Sequence, residues 1–141
     1  MEGGCDKRLK VWVNGTFDVI HRGHIELLNY ASSLGIVRVG IDSDLRVKKL
    51  KGNERPINNF DDRSFVIKNL KSVDSVVKFS SDEELEIEIA LWSPDYLVVG
   101  SDYKDKKVIG SHLVKHVLFF EKLDDYSSTK IINYGKNFSS R

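Results

Sequence analysis

The sequence has little of three features that mark particular classes of protein: cysteine, proline and net charge. Its 141 residues include one cysteine and two prolines, and they carry a formal net charge of +1 at pH 7. Because the single cysteine, Cys5, forms no internal disulfide, we expect a reducing, cytoplasmic environment. The small net charge argues against a protein that wraps nucleic acid. We therefore expect no nucleic-acid partner.

Long hydrophobic runs are also missing from the chain. None approaches the roughly 20 residues that cross a bilayer, and the polar residues 1–8 do not form a secretory signal. We therefore expect no membrane association. Apolar residues make up 40% of the chain and charged residues 30%, as in an ordinary globular domain. The length predicts one domain over residues 10–132, between a flexible N-terminus at 1–9 and a polar tail at 133–141.

Short apolar segments alternate along the chain with segments of helical periodicity. The former predict strands at residues 10–14, 36–41, 75–79, 96–100 and 117–120. The latter predict a helix that ends at Gly35, a helix capped by Asp61 or Asp62, and helices over residues 82–92, 108–116 and 127–132. Strands that alternate with helices form parallel sheets covered on both faces. We therefore predict an α/β fold, a single Rossmann-like domain with a five-stranded parallel sheet flanked by helices.

The loop after the first predicted strand has the composition of a phosphate-binding segment. It reads Gly-Thr-Phe-Asp at residues 15–18 and His-Arg-Gly-His at residues 21–24. It leads into a helix, and the N-terminus of a helix presents free N–H groups to anions. His21 and His24 are three residues apart, so both imidazoles face the same side of one helical turn. Two imidazoles can donate hydrogen bonds to phosphate oxygens and stabilise charge in a transition state.

The histidines also allow a different interpretation, a zinc site. Zinc needs at least three protein ligands, and the other histidines of the chain, His112 and His116, are four residues apart on a separate predicted helix. We interpret that second pair as an exposed helix face. Asp18 would orient a partner or a metal-bound water. The zinc alternative stays open at this point, although the combined loop motif is more specific than either histidine.

The motif at residues 15–18 and 21–24 resembles that of the HxGH nucleotidyltransferases, which include the cytidylyltransferases and pantetheine-phosphate adenylyltransferase. Histidine at both positions resembles the cytidylyltransferase-type branch. The resemblance extends from about Val11 to Ile132 and identifies residues 10–132 as a nucleotidyltransferase domain. It implies an enzyme that joins a nucleotide to a small phosphorylated substrate and releases pyrophosphate.

Later segments resemble the adenylyltransferase domain of ADP-heptose synthesis. The most discriminating are Leu-Lys-Gly at residues 50–52 and Arg-Pro-Ile-Asn at residues 55–58. Val99 differs, because the heptose enzymes usually have lysine there. The glycerol-3-phosphate cytidylyltransferases share the first loop but carry a late arginine that residues 119–122 lack. The resemblance implies ATP and a sugar 1-phosphate such as heptose 1-phosphate; CTP with glycerol 3-phosphate, or a non-catalytic nucleotide-binding module, are the alternatives.

The basic residues 46–55 follow the second predicted strand and would lie over the same edge of the sheet as the histidines. They include five cations in ten residues. A solvated basic loop is one explanation. A mobile lysine that closes on the outer phosphates as a lid is the other.

The resemblance implies roles for individual residues. The catalytic residues would be His21, His24 and Lys51. The nucleotide would be bound by Gly15, Thr16, Phe17, Asp18, His21, Gly23, His24, Ser127, Ser128 and Thr129. The acceptor and the outer phosphates would be bound by Asp44, Lys48, Lys51, Arg55, Arg63 and Asp102. Mg²⁺ would be the cofactor, carried by the nucleotide phosphates, and the protein would be a homodimer.

Overall fold

Five parallel strands form one sheet in the computed structural model, which describes residues 8–100 and 107–121. The strands are β1 (Lys10–Gly15), β2 (Ile36–Asp42), β3 (Ser75–Phe79), β4 (Tyr96–Gly100) and β5 (His116–Phe120). Their order across the sheet is β3-β2-β1-β4-β5. Successive strands are added on one side of β1 up to β3 and on its other side from β4 onward. The switch in strand order therefore lies between β1 and β4, and open parallel sheets bind ligands at such a switch point.

The register of the strands leaves space at this reversal. β1 pairs with β2 along its whole length, from Lys10 to Gly15. Its pairs with β4 are Val11 with Tyr96 and Trp12 with Leu97, which lie near the start of each strand. The carboxyl ends of β1 and β4 are thus open to a ligand between them.

Four α-helices connect the strands within the described residues. They are α1 (Arg22–Leu34), α2 (Asp44–Lys51), α3 (Phe60–Lys68) and α4 (Asp82–Trp92). Ser43, Asn59 and Ser81 cap α2, α3 and α4, and each side chain accepts a hydrogen bond from a backbone N–H of the first turn. A 3-10 turn, Ser111–Leu113, precedes β5. No helix in residues 8–100 or 107–121 is long and apolar enough to span a membrane.

The hydrophobic core lies on both faces of the sheet. Val11 and Val13 belong to the cluster that includes the buried residues of α1 and α3, whereas Trp12 packs with Leu85 and Ile89 of α4 on the opposite face. This alternation follows from the pleat of a strand, which sends successive side chains to opposite faces. The fold class predicted from the sequence, a Rossmann-like α/β domain with a five-stranded parallel sheet, is confirmed.

Three local predictions are wrong. Residues 108–116 form no α-helix, because Gly110 adopts a left-handed conformation (φ +85°) and a Cβ there would lie 2.6 Å from Ile89 Cδ1. Part of the basic stretch at residues 46–55 belongs to α2, which Ser43 caps. The cap of α3 is Asn59, not Asp61 or Asp62. The predicted helix at 127–132, the N-terminus at 1–7 and the tail at 133–141 lie outside the described residues.

Candidate active site

A cavity of about 430 Å³ opens at the carboxyl edge of the sheet, where β1 and β4 diverge. Its size is typical of a small-molecule site. Three segments form its walls. The first is the loop after β1 with the start of α1, the second is the end of β2 with α2, and the third comprises the end of β4 and residues 107–109. Phe79 and Leu85 add an apolar surface.

The two histidines of the motif form the start of α1 and line this cavity. His21 is the N-cap residue, and its Nδ1 accepts the backbone N–H of Gly23 at 3.0 Å. His24 Nδ1 accepts the backbone N–H of His21 at 3.2 Å, which completes a capping box. Since Nδ1 is the acceptor in each ring, the neutral imidazole carries its proton on Nε2. Each ring therefore has its donor at Nε2, and the Nε2 atom of His21 is buried.

The rings of His21, His24 and Phe17 lie against one another at tilted angles. The centroids of the two imidazoles are 3.9 Å apart, and the ring of Phe17 lies 5.3 Å from that of His24. Phe17 is buried and has a left-handed backbone (φ 52°), an uncommon conformation for a residue with a Cβ. A Cβ at Gly15 would lie 3.1 Å from the Phe17 ring. Gly15 therefore leaves room for the ring that supports His24.

Asp18 joins this loop to the segment that follows α2. One carboxylate oxygen accepts the N–H of Ile57 at 2.8 Å and the Nε of Arg55 at 3.2 Å, and the other accepts the N–H of Asn58 at 2.8 Å. The side chain of Asn58 donates in return to the Asp18 carbonyl at 2.7 Å. Asp18 lines the cavity, but these contacts give it the role of orienting residues 55–58.

A second carboxylate, Asp42, ends β2 and also lines the cavity. Its Oδ2 accepts the hydroxyl of Thr16 at 3.1 Å, and its Oδ1 accepts the Nε of Arg46 at 2.8 Å. Arg46 donates through Nη2 to Asp82 at 2.7 Å. The hydroxyl proton of Thr16, a residue predicted to bind the nucleotide, is thus directed to Asp42. Asp42 and Arg46 were missed as site residues; the position of Asp42 at the carboxyl end of a strand was the available signal.

Arg63 is fully buried and binds three carbonyl oxygens. It donates to the carbonyls of Thr16, Asp42 and Asn58, each at 2.9 Å, and to the Asp44 carboxylate at 2.7 Å. Its guanidinium therefore connects the ends of β1 and β2 to the start of α3. Contacts with substrate stay a prediction for Arg63 and Asp44, which do not line the cavity within the described residues.

Lys51, the last residue of α2, lines the cavity. Burial of its ammonium group lowers the pKa of Lys51, and the nearby Arg55 cation lowers it further. Lys107, which sequence reasoning did not single out, lines the opposite wall. Lys48 and Arg55 are not among the described residues that line the cavity. Asp102 and Ser127–Thr129 lie outside the described residues, so their roles stay predictions.

The remaining histidines, His112 and His116, do not line the cavity. His116 begins β5 and stacks on Tyr96, so it lies at the amino edge of the sheet, opposite the cavity. His112 lies on the 3-10 turn with its Nε2 3.6 Å from a Glu86 carboxylate oxygen. The two residues therefore do not share a helix face as we predicted. Residues 8–100 and 107–121 contain no group of three or more His, Cys, Asp or Glu side chains that could hold a metal ion.

Comparison with known proteins identifies the family of the chain. The cytidylyltransferase-like family model matches residues 12–134. The bifunctional protein HldE of Campylobacter concisus is 46% identical over 127 residues, which are 89% of this chain and 27% of that protein. HldE of Helicobacter pylori strain J99 is 45% identical over 123 residues, 86% of this chain and 26% of its own length. The chain thus spans about a quarter of the length of the curated relatives it matches.

Solved structures show the same architecture. A lipopolysaccharide core biosynthesis protein from Thermoplasma volcanium is 27% identical, with a TM-score of 0.68 over 82% of this chain and 98% of its own. Pantothenate synthetase from Thermus thermophilus is 13% identical, with a TM-score of 0.61 over 91% of this chain and 63% of its own, and shows the fold alone. Since the family model covers most of the sequence, the chain belongs to the cytidylyltransferase-like family of nucleotidyltransferases.

Proposed function

We propose that the chain transfers the adenylyl group of ATP to a sugar 1-phosphate such as heptose 1-phosphate and releases pyrophosphate. The observation that carries this proposal is the pair of histidines that cap α1 and line the cavity. Two observations support a heptose phosphate as the acceptor. The relatives at 42–46% identity are HldE proteins. The Leu-Lys-Gly and Arg-Pro-Ile-Asn segments resemble the adenylyltransferase domain of ADP-heptose synthesis. The lipopolysaccharide core biosynthesis protein of Thermoplasma volcanium agrees with a saccharide acceptor.

The reaction is an in-line attack of an acceptor phosphate oxygen on the α-phosphorus of the nucleotide. The bond to the bridging oxygen of the β-phosphate breaks, and pyrophosphate leaves with that electron pair. The acceptor phosphate is already ionised at neutral pH, so the protein needs no strong general base. Positioning and charge stabilisation supply most of the rate enhancement.

The histidines meet this requirement through their fixed tautomer. The Nε2 donors of His21 and His24 would bind oxygens of the α- and β-phosphates, while the positive end of the α1 dipole adds positive potential. The capping contacts set both rings before substrate arrives. The donors therefore need little reorganisation in the transition state, which is what makes such groups effective.

Two cations that line the cavity, Lys51 on one wall and Lys107 on the other, would bind the remaining phosphate groups. Lys51 extends from the α2 wall, and we propose that it binds the outer phosphates or the acceptor phosphate. Lys48 and Arg55 belong to the same basic segment, and their contacts with phosphate stay part of the proposal. Ser127, Ser128, Thr129 and Asp102 keep their proposed contacts with the nucleotide and the sugar.

Mg²⁺ fits this site as a companion of the nucleotide. The carboxylates that line the cavity, Asp18 and Asp42, have both oxygens in contact with protein donors. Neither is arranged as part of a dedicated cage, and Mg²⁺ is often held mainly by substrate phosphates. When bound, the ion would neutralise charge on the phosphates.

A matrix of four substrate pairs tests the proposal. Purified protein is incubated with Mg²⁺ and either ATP or CTP, against either heptose 1-phosphate or glycerol 3-phosphate, and pyrophosphate release is measured. We expect release with ATP and heptose 1-phosphate. Release only with CTP and glycerol 3-phosphate would replace the substrates and keep the reaction class. Tight nucleotide binding without pyrophosphate from any pair would contradict the proposed activity.

A further inference from the structure

Helix α2 carries Lys51 to the cavity but is only lightly packed on the domain. Of its eight residues, Val47 alone is buried. Leu45 and Leu50 are 62% and 64% exposed. The helix ends at Lys51, and a Cβ on the next residue, Gly52, would meet no atom within 4 Å. Apolar burial therefore does little to fix the orientation of α2, and polar contacts must do so.

Two of these polar contacts come from one side chain, Arg46. Its Nε donates to Asp42 at 2.8 Å and its Nη2 to Asp82 at 2.7 Å, while its guanidinium lies 5.2 Å from the ring centre of Phe79. Asp42 ends β2, and Asp82 begins α4 shortly after β3. The Asp42–Arg46–Asp82 bridge therefore fastens α2 to the carboxyl ends of two neighbouring strands.

The bridge also matters for the charge of the cavity. Asp42 and Arg46 both line it, and their side chains are 11% and 14% exposed. A carboxylate without a partner at this place would repel the phosphates of a substrate. Burial alone would lower the pKa of Arg46, but its hydrogen bonds to Asp82 and Asp42 raise it. The planar guanidinium can bind two carboxylates at once, which an ammonium group on one stem cannot do in the same geometry.

We propose that Arg46 is a positioning residue for nucleotidyl transfer, and that the Asp42–Arg46–Asp82 bridge holds α2 so that Lys51 stays over the cavity. This inference rests on the proposed function. Without the bridge, α2 keeps the packing of Val47 and the contact of Asp44 with Arg63. Lys51 then samples more orientations, and fewer of them bind phosphate.

Kinetics of four variants test the proposal against the wild type. Arg46→Met removes the bridge, Arg46→Lys keeps the charge without the two-armed geometry, and Asp82→Asn removes the outer contact. Glu83→Gln is the matched control, because it removes a charge from the same first turn of α4. We expect Arg46→Met to raise the KM for ATP or the acceptor by about 10- to 100-fold, with a smaller change in kcat. Arg46→Lys and Asp82→Asn should be intermediate, and Glu83→Gln should match the wild type.

Hydrogen exchange of the α2 amides provides a second readout that needs no activity. Arg46→Met and Asp82→Asn should speed exchange in α2 by about tenfold or more, with little change in β1 and β2. If the wild type releases no pyrophosphate with any substrate pair, the proposed function fails, and the exchange experiment still decides whether the bridge holds α2. Unchanged exchange in Arg46→Met would overturn the inference. So would faster exchange in an active enzyme whose KM values stay at the wild-type level.

Discussion

Replacing Asp18 by alanine should lower the free energy of unfolding by about 3–5 kcal/mol. The carboxylate is 1% exposed and accepts hydrogen bonds from two backbone N–H groups and from Arg55, whose side chain is 11% exposed. A bond to a charged group is worth about 1.5–3 kcal/mol, and the three bonds share one carboxylate, so they do not add fully. Removal of Asp18 also leaves the buried Arg55 without this partner, which sets the upper part of the range.

Urea denaturation followed by circular dichroism measures this loss. The melting temperature should fall with it by about 10–20 °C. Asp61→Ala is the matched control, because Asp61 is an exposed carboxylate in the first turn of α3. The midpoint of its unfolding in urea should lie close to that of the wild type. A loss below about 1 kcal/mol for Asp18→Ala would refute the view that Asp18 fastens residues 55–58 to the first loop.

Three further variants test the site and the fold. His24→Ala should lower kcat by about 100- to 1000-fold while circular dichroism shows a folded protein, and near-normal turnover would contradict its role as a transition-state donor. Because the pKa of Lys51 is lowered, its charge is lost at a lower pH than for an ordinary lysine. We therefore expect kcat/KM to fall as the pH rises through that pKa. In Lys51→Arg this fall in kcat/KM should occur at a higher pH. Gly35→Ala should destabilise the fold by about 1–3 kcal/mol in thermal unfolding, since its Cβ would lie 2.1 Å from the Leu9 carbonyl oxygen; wild-type stability would contradict this close approach.

The first strand, its loop and α1 could be predicted because their signals are local. The apolar run, the glycine and the spaced histidines lie within 15 residues of one another along the chain, and Gly35 does follow the last residue of α1. The reciprocal capping contacts between His21 and His24 do not follow from the sequence, because histidine is not among the most preferred N-cap residues. The fixed Nε2 donors follow from that cap.

Hydrogen bonds between residues distant in sequence could not be predicted from local patterns. Asp18 contacts residues 37 to 40 positions away, and Arg63 contacts a carbonyl 47 positions away. Nothing in the local pattern distinguishes these side chains from a surface carboxylate and a surface arginine. The error at 108–116 has the opposite origin, because helical periodicity was present there but the left-handed Gly110 and the packing against Ile89 decided the backbone. The homodimer and the cytoplasmic environment stay predictions.

The buried guanidinium of Arg63 has a consequence for how a nearly neutral chain can accept a polyanion. The carboxyl edge of a parallel sheet exposes carbonyl oxygens, whose partial negative charge opposes phosphate. Arg63 donates to the carbonyls of Thr16 and Asp42, which line the cavity, and places behind them a buried positive charge that the Asp44 carboxylate offsets in part. Counterions in solution screen a buried charge far less than a surface lysine. The attraction that Arg63 provides should therefore persist at high ionic strength, where that of Lys48 and Lys51 weakens.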